Sequence, residues 1–128
     1  MSALSIMVKP VSGACNMHCA YCFYSDVMSH RKTHVYPHMS EQTLEILVQR
    51  VFRYADNQVS FFFQGGEPTL AGLPFFEALI RFEQIYNVRN LPVFNAVQTN
   101  AYALSDEMIS FFARENFLLG VSLDGDRF

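Results

Sequence analysis

The stretch VSFFFQGGEP, residues 59–68, decides the fold class. Four of its first five residues are apolar, which predicts a buried strand over residues 59–63. The apolar run stops at a Gly-Gly pair, and an amphipathic helical pattern lies on either side of the stretch. A buried strand between two helices predicts a βαβ arrangement, in which neighbouring strands run parallel.

The same alternation extends over the rest of the chain. Short apolar runs predict three further strands, at residues 4–8, 93–98 and 117–122. Apolar residues at helical spacing, after Ser or beside Pro at the start, predict three helices, at residues 40–55, 74–86 and 105–113. The order β-α-β-α-β-α-β predicts an α/β fold with a parallel sheet, either part of a barrel or an open sheet.

Composition limits the class of protein. The 128 residues carry a net charge of −3, which gives no electrostatic reason to expect nucleic acid or a membrane surface as a partner. The apolar runs are far shorter than the roughly 20 residues that a membrane span needs. The start of the chain does not resemble a signal peptide. We therefore expect a cytoplasmic protein, in which cysteines stay reduced and bind metal or do chemistry.

A polar cluster follows every predicted strand. SGACNMHCAYC follows the first strand, QGGEP the second, QTN the third and SLDG the fourth. Because parallel α/β sheets place their chemistry beyond the carboxyl ends of the strands, the four clusters predict one shared site.

Side-chain alternation predicts which residues face that site. With period two, three rows end in polar groups and are expected to face a shared interior: Ser60, Phe62 and Gln64; Ala96, Gln98 and Asn100; Gly120, Ser122 and Asp124. The opposite rows are mostly apolar and are expected to meet the helices: Phe61 and Phe63; Asn95 and Val97; Leu119, Val121 and Leu123.

The three cysteines of the chain, Cys15, Cys19 and Cys22, all lie within the first polar cluster. Their odd number and tight spacing disfavour disulfides. A structural zinc site with His18 as the fourth ligand is an alternative, although adjacent ligands at positions 18 and 19 make joint coordination awkward. An iron–sulfur cubane held by three thiolates leaves one iron open for chemistry.

The spacing C-x3-C-x2-C, with Tyr21 before the last cysteine and GGEP after the second strand, resembles the radical S-adenosylmethionine enzymes. The segments KPVSGACNMHCAYCFY, FQGGEPTLAGLPFFE, QTN and SLDG are together similar to the anaerobic sulfatase-maturating enzymes. This resemblance covers residues 7–125. One departure is Ala101, where the family usually has a Gly able to adopt positive φ.

The resemblance implies a role for each matching residue. Cys15, Cys19 and Cys22 would hold a [4Fe-4S] cluster whose open iron binds S-adenosylmethionine. The cofactor would be contacted by Tyr21 near the adenine, by the backbone at Gly65 and Gly66, by Glu67 at the ammonium group, and by Ser122 around the ribose or carboxylate. The remaining inward polar groups could face cofactor or substrate: Gln64, Gln98, Asn100 and Asp124. Tyr24, just past the cysteines, is a further candidate substrate contact, with a packing role as the alternative.

The resemblance also implies an activity and a larger protein. A 5'-deoxyadenosyl radical would start the oxidation of a Cys or Ser in a sulfatase-type peptide to formylglycine, with electrons from a donor such as ferredoxin or flavodoxin. Residues 1–128 would form the first part of a partial (β/α)6 TIM-like barrel. No catalytic residue is expected among them, and a C-terminal auxiliary-cluster domain would lie outside them. Two alternatives are another peptide-modifying radical enzyme, of thioether-forming or epimerising type, and a non-catalytic zinc or cluster-binding scaffold.

Overall fold

A computed structural model describes residues 3–125. In chain order its strands and helices are β1 (Ala3–Val8), α1 (Phe23–Ser29), α2 (Glu41–Tyr54), β2 (Gln58–Phe63), α3 (Leu73–Tyr86), β3 (Val93–Thr99), α4 (Asp106–Arg114) and β4 (Leu118–Val121). A short 3-10 helix, Pro68–Ala71, precedes α3. None of the helices in this range is both long and apolar enough to cross a membrane.

The four strands form one parallel sheet in the order β1-β2-β3-β4. Each strand pairs with the next one along the chain, so all four carboxyl ends lie at the same edge. The α/β prediction is therefore confirmed, and the sheet brings the loop after each strand to one rim.

The helices begin where their capping residues predict. The Oγ atom of Ser40 accepts a hydrogen bond from N of Thr43 at 3.1 Å at the start of α2. Ser105 caps α4 in the same way, through N of Met108 at 3.1 Å. Pro74 lies in the first turn of α3, where its missing N–H costs no hydrogen bond.

One face of the sheet carries the core. The pairing register aligns Val8, Phe63, Val97 and Leu119 across the four strands, and all four belong to or pack against the main hydrophobic cluster. Phe76 of α3 is fully buried among aromatic rings in edge-to-face contact, with centroid distances of 5.1 to 6.1 Å: Phe63, Phe75, Phe112 and Phe117. The helices thus cover the face that alternation assigned to them.

The opposite face of the sheet is open in the described residues. Met7, Phe62 and Phe94 are large apolar side chains on neighbouring strands, and all three are exposed. Gln98 is exposed on the same side of β3. This open face carries the rows that end in polar groups, as alternation predicts.

Two features of the fold differ from the sequence prediction. The segment after Cys22, in which no helix was predicted, contains α1, a seven-residue helix too short for its apolar spacing to be distinguished from a loop. Val121 and Leu123 were expected to meet helices, and that is wrong, since they are 57% and 88% exposed. The reason is that β4 is an edge strand in the described part of the chain, paired only with β3.

Candidate cofactor-binding site

A cavity of about 240 Å³ lies at the carboxyl edge of the sheet. It is lined by segments that follow all four strands. Every site residue predicted from the sequence lies on its wall: Cys15, Cys19, Tyr21, Cys22, Tyr24, Gln64, Gly65, Gly66, Glu67, Gln98, Asn100, Ser122 and Asp124. The roles assigned to them stay predictions, whereas their gathering in one place is a property of the fold.

The cysteine loop, residues 9–22, is anchored before it reaches the cavity. Val11 is fully buried, and N of Ala14 donates to O of Val11 at 3.0 Å in a tight turn. The three cysteines are free thiols, each partly buried. His18 is exposed and does not line the cavity that the three thiols share. The arrangement offers three sulfur ligands around a space and leaves the histidine outside it.

The Gly-Gly turn after β2 packs directly on the cysteine loop. Gly65 and Gly66 both have positive φ, at 88° and 51°. A Cβ atom on Gly66 would lie 2.0 Å from O of Ala14, a distance that no side chain can occupy. N of Glu67 then donates to the same Ala14 oxygen at 2.8 Å. Glycine is therefore needed here both for backbone conformation and for the close approach of two loops.

The carboxylate of Glu67 is buried, with 1% of the residue exposed, and its oxygens accept four hydrogen bonds. Oε1 accepts from N and Oγ1 of Thr69 at 3.2 and 2.7 Å, and from Oγ1 of Thr99 at 2.7 Å. Oε2 accepts from N of Asn100 at 2.7 Å. These contacts give Glu67 a role in joining two loops, while its predicted contact with the cofactor ammonium group stays a prediction.

Gln98 and Ser122 meet across the ends of β3 and β4. Nε2 of Gln98 donates to Oγ of Ser122 at 2.8 Å. The side chain of Gln98 packs against the backbone of Gly120, where a Cβ atom would lie only 2.3 Å from Oε1 of Gln98. The absence of a side chain at Gly120 therefore lets two predicted site residues form a polar pair on the cavity wall.

Tyr21 and Asp124 form a second pair that spans the first and last loops. The Tyr21 hydroxyl donates to Oδ2 of Asp124 at 2.6 Å, although the tyrosine is 70% exposed. This hydrogen bond raises the pKa of Tyr21 above its usual value, because losing the proton would break the bond beside a carboxylate. The ring is thereby held at the cavity, next to the last cysteine.

Tyr24 lies at the start of α1, two residues after Cys22, and lines the same cavity. Burial raises the pKa of its hydroxyl, and the nearby Cys22 adds to the shift, so the group keeps its proton at neutral pH. Nζ of Lys9 lies 4.9 Å from the centre of the ring. The hydroxyl is therefore available as a hydrogen-bond donor.

Two contributors to the site were not singled out from the sequence. Thr99 lies in the row that faces the helices, yet it is polar and 1% exposed, and it binds Glu67. Its signal was a hydroxyl at a position that alternation makes buried. Gly120 had no sequence signal beyond a glycine inside a strand pattern, which often marks a close approach.

The donor set fits an iron–sulfur cubane. Three corners of a cubane bind three separate sulfurs, so the ligands must surround a space. Three thiols on one loop around a cavity meet that requirement. In residues 3–125, no three His, Cys, Asp or Glu side chains are gathered around a point as ligands of a single metal ion.

Comparison with known proteins defines the class. The sequence profile of the Radical SAM superfamily matches residues 10–127, and the chain belongs to this superfamily. Its members combine a [4Fe-4S] cluster with S-adenosylmethionine, which confirms the two predicted cofactors.

Individual relatives show which members of the superfamily the chain is similar to. The chain is 42% identical, over 127 residues, to the cysteine-type anaerobic sulfatase-maturating enzyme of Clostridium novyi (strain NT). It is 35% identical, over 123 residues, to the serine-type enzyme of Bacteroides thetaiotaomicron. The matches cover 99% and 95% of this chain but 34% and 30% of those proteins. The chain thus spans about a third of the length of these relatives.

A solved structure agrees with the fold. Native anSMEcpe with bound AdoMet and the Kp18Cys peptide superposes with a TM-score of 0.89 at 42% identity. The match covers 98% of this chain and 33% of that one. The parallel sheet therefore corresponds to part of a TIM-like barrel, as the sequence predicts.

Proposed function

We propose that the protein carrying this chain is an anaerobic sulfatase-maturating enzyme, which oxidises a Cys or Ser side chain of a sulfatase to formylglycine. The observation that carries the proposal is the single cavity in which three thiols meet the ends of all four strands. Similarity to enzymes of both the cysteine and the serine type supports the substrate class.

Cys15, Cys19 and Cys22 would hold the cluster through their sulfurs. When bound, the cluster and S-adenosylmethionine supply the radical hydrogen abstraction that starts the oxidation. Gly65 and Gly66 would let backbone approach the cofactor closely. The ring of Tyr21, held by Asp124, would lie flat against an adenine.

The polar wall would orient the organic parts. The hydroxyl of Ser122, which accepts a hydrogen bond from Gln98, would bind the ribose or carboxylate of the cofactor. Tyr24 keeps its proton and would donate a hydrogen bond to a peptide group, and Gln64 lines the same cavity. Gln98 lies in β3, and Gln64 and Ser122 directly follow β2 and β4, so the packed sheet would hold this part of the wall in place before substrate binds.

We also propose that an electron carrier such as ferredoxin or flavodoxin reduces the cluster and that the protein works in the cytoplasm. Three free thiols on one loop favour a compartment that does not oxidise them. The electron carrier would supply the low-potential electrons that the cluster needs, and the cytoplasm would hold both the carrier and the protein.

The test uses the full-length protein, reconstituted without oxygen with iron and sulfide. Peptides that differ only in Cys, Ser or Ala at the target position are incubated with S-adenosylmethionine and a reductant, and the product masses are measured. We expect aldehyde formation with the Cys or the Ser peptide and none with the Ala peptide. Aldehyde on neither, or a thioether or epimerised product from unrelated peptides, would reject the proposal.

A second measurement tests the metal site itself. A variant with all three cysteines changed to Ala should contain about four fewer irons per chain than the parent protein. Equal iron content in the two proteins would show that the three cysteines do not hold the cluster. If the variant instead loses one zinc per chain and no iron, the cysteines belong to a non-catalytic zinc-binding scaffold.

A further inference from the structure

The side chain of Asn100 connects the end of β3 to the cysteine loop. Its Nδ2 donates to Oδ1 of Asn16 at 2.8 Å and lies 3.7 Å from Sγ of Cys15, within hydrogen-bond range for sulfur. Its Oδ1 accepts from N of Tyr102 at 3.0 Å. Because the oxygen is committed to a backbone N–H, the amide orientation is fixed and both N–H bonds point towards the cysteine loop.

The backbone of Asn100 is held independently of that side chain. Its N donates to Oε2 of Glu67 at 2.7 Å. N of Glu67 in turn donates to O of Ala14, the residue just before Cys15, at 2.8 Å. Glu67 therefore links the backbone of Asn100 to the backbone directly before Cys15.

The sulfur of Cys15 also has a donor within its own loop. N of Met17 donates to Sγ at 3.4 Å. Two N–H groups thus point at one cluster ligand, one from the loop and one from a strand end 85 residues away. The Met17 donor comes from the local fold of the cysteine loop, whereas the Asn100 donor reaches the sulfur only because the sheet brings the end of β3 to that loop.

Hydrogen bonds to cluster sulfurs set the reduction potential of iron–sulfur proteins. Reduction adds an electron, which increases the negative charge on the thiolate sulfurs. An N–H donor interacts more strongly with the more negative sulfur, so it stabilises the reduced cluster more than the oxidised one and raises the potential.

We propose that Asn100 is a positioning residue that raises the reduction potential of the [4Fe-4S] cluster through its N–H···S hydrogen bond to Cys15. This proposal rests on the cysteine-bound cluster of the proposed function. In this proposal Asn100 favours reduction of the cluster, in place of the cofactor or substrate contact expected from its inward position.

The test is a potentiometric titration of the reconstituted full-length protein, followed by the electron paramagnetic resonance signal of the reduced cluster. S-adenosylmethionine is left out, so that cofactor binding does not move the potential. Subtracting the signal of the variant without the three cysteines isolates the cluster in this site. The variants are Asn100→Ala and Asn100→Asp, with Asn16→Ala as the matched control.

We expect Asn100→Ala to make reduction about tenfold less favourable, a fall of about 59 mV for one electron. Asn100→Asp should lower the potential further, because a carboxylate replaces the donor next to the sulfur. Asn16→Ala removes the other acceptor of the same amide and leaves the N–H···S contact, so its potential should stay near that of the parent protein.

An unchanged potential in Asn100→Ala at full iron content would overturn the proposal. An equal fall in Asn16→Ala would do so too, since it would point to loop anchoring alone. If Asn100→Ala takes up no iron, Asn100→Ser keeps the cavity polar but cannot reach the sulfur, and the same fall is expected there. A parent protein with no more iron than the variant without the cysteines would instead reject the proposed function.

Discussion

The hydroxyl of Thr99 donates a hydrogen bond to Oε1 of Glu67 at 2.7 Å, joining the end of β3 to the loop after β2. Both residues are 1% exposed. A buried carboxylate is costly unless it is well hydrogen-bonded, and here four donors share the charge. Two of the loops that line the cavity are therefore joined through a single buried side chain.

Replacing Thr99 by Val should destabilise the protein by about 1.5 to 3 kcal/mol, the range for a lost hydrogen bond to a charged group. The change keeps the shape of the side chain but removes the donor to Glu67 and the acceptor of N of Ala101. Urea unfolding measures the loss. Thr33→Val, at an exposed position outside the helices and strands, is the control and should change stability by less than about 0.5 kcal/mol. Similar values for both variants would contradict the role of the buried hydroxyl.

Gly66→Ala should reduce the iron bound to the cysteine site by more than about tenfold, a free-energy change of only about 1.4 kcal/mol. The new Cβ would collide with O of Ala14, which lies next to Cys15, and would force the cysteine loop to move. Iron analysis after anaerobic reconstitution is the measurement.

Gly72→Ala provides the matched control for that change. Gly72 also has positive φ, at 87°, but the nearest atom to its Cβ position is Cδ of Pro74 at 3.6 Å. The substitution therefore adds backbone strain without a collision, and iron content should stay at the parent level. Loss of iron in both variants would show that strain alone, and not the contact between the loops, explains the effect.

Glu83 predicts a pH dependence of stability. Burial raises the pKa of this α3 carboxyl to about 7, with a further contribution from Glu115, while hydrogen bonds from Asn95 oppose the shift. A carboxyl whose pKa is raised on folding stabilises the folded state most when it is protonated. Stability from this group should therefore be full below about pH 4 and fall as the pH rises to about 7, by at most about 3 kcal/mol.

Glu83→Gln should remove that dependence, because an amide does not titrate. The measurement is the difference in thermal unfolding midpoint between variant and parent at pH 5.5 and at pH 8, with the variant gaining at the higher pH. Glu77→Gln, at an exposed position of the same helix, is the control and should track the parent at both values. A variant that follows the parent across the range would refute the assignment.

Ala101→Gly should stabilise the protein by about 0.5 to 1 kcal/mol. Ala101 has φ of 56°, a left-handed conformation that costs an L-residue roughly 1 to 2 kcal/mol, and the flexibility of Gly offsets part of the gain. Ala113→Gly, in the exposed part of α4, should instead lose about 1 kcal/mol. Chemical denaturation of both variants would show the opposite signs, and equal losses would be inconsistent with strain at Ala101.

The fold and the membership of the site were predictable because both depend on periodic patterns. The apolar run at 59–63 and the caps at Ser40 and Ser105 are local signals, and the structure confirms the elements that they predict. Parallel strands in sequential order then bring their carboxyl ends together whatever the details of packing. The four polar clusters predicted from the sequence meet at the cavity for that reason.

The pairings inside the site were not predictable, because they depend on side-chain reach between segments distant in sequence. Alternation gave Asn100 and Asp124 the same inward direction, but the first binds the cysteine loop and the second binds Tyr21. The engagement of Glu67 with Thr99 likewise depends on the register of β2 and β3. Helix α1 was not predicted because its seven residues are too short a segment for helical spacing to be distinguished from a loop.

The 85-residue separation between Cys15 and Asn100 sets an order of events during synthesis. The ribosome makes the thiols first, and at about 5 to 20 residues per second the amide that holds their loop follows about 4 to 17 seconds later. During that interval Sγ of Cys15 is without its donor from the third strand end. The N–H···S contact can therefore form only after translation has passed the third strand.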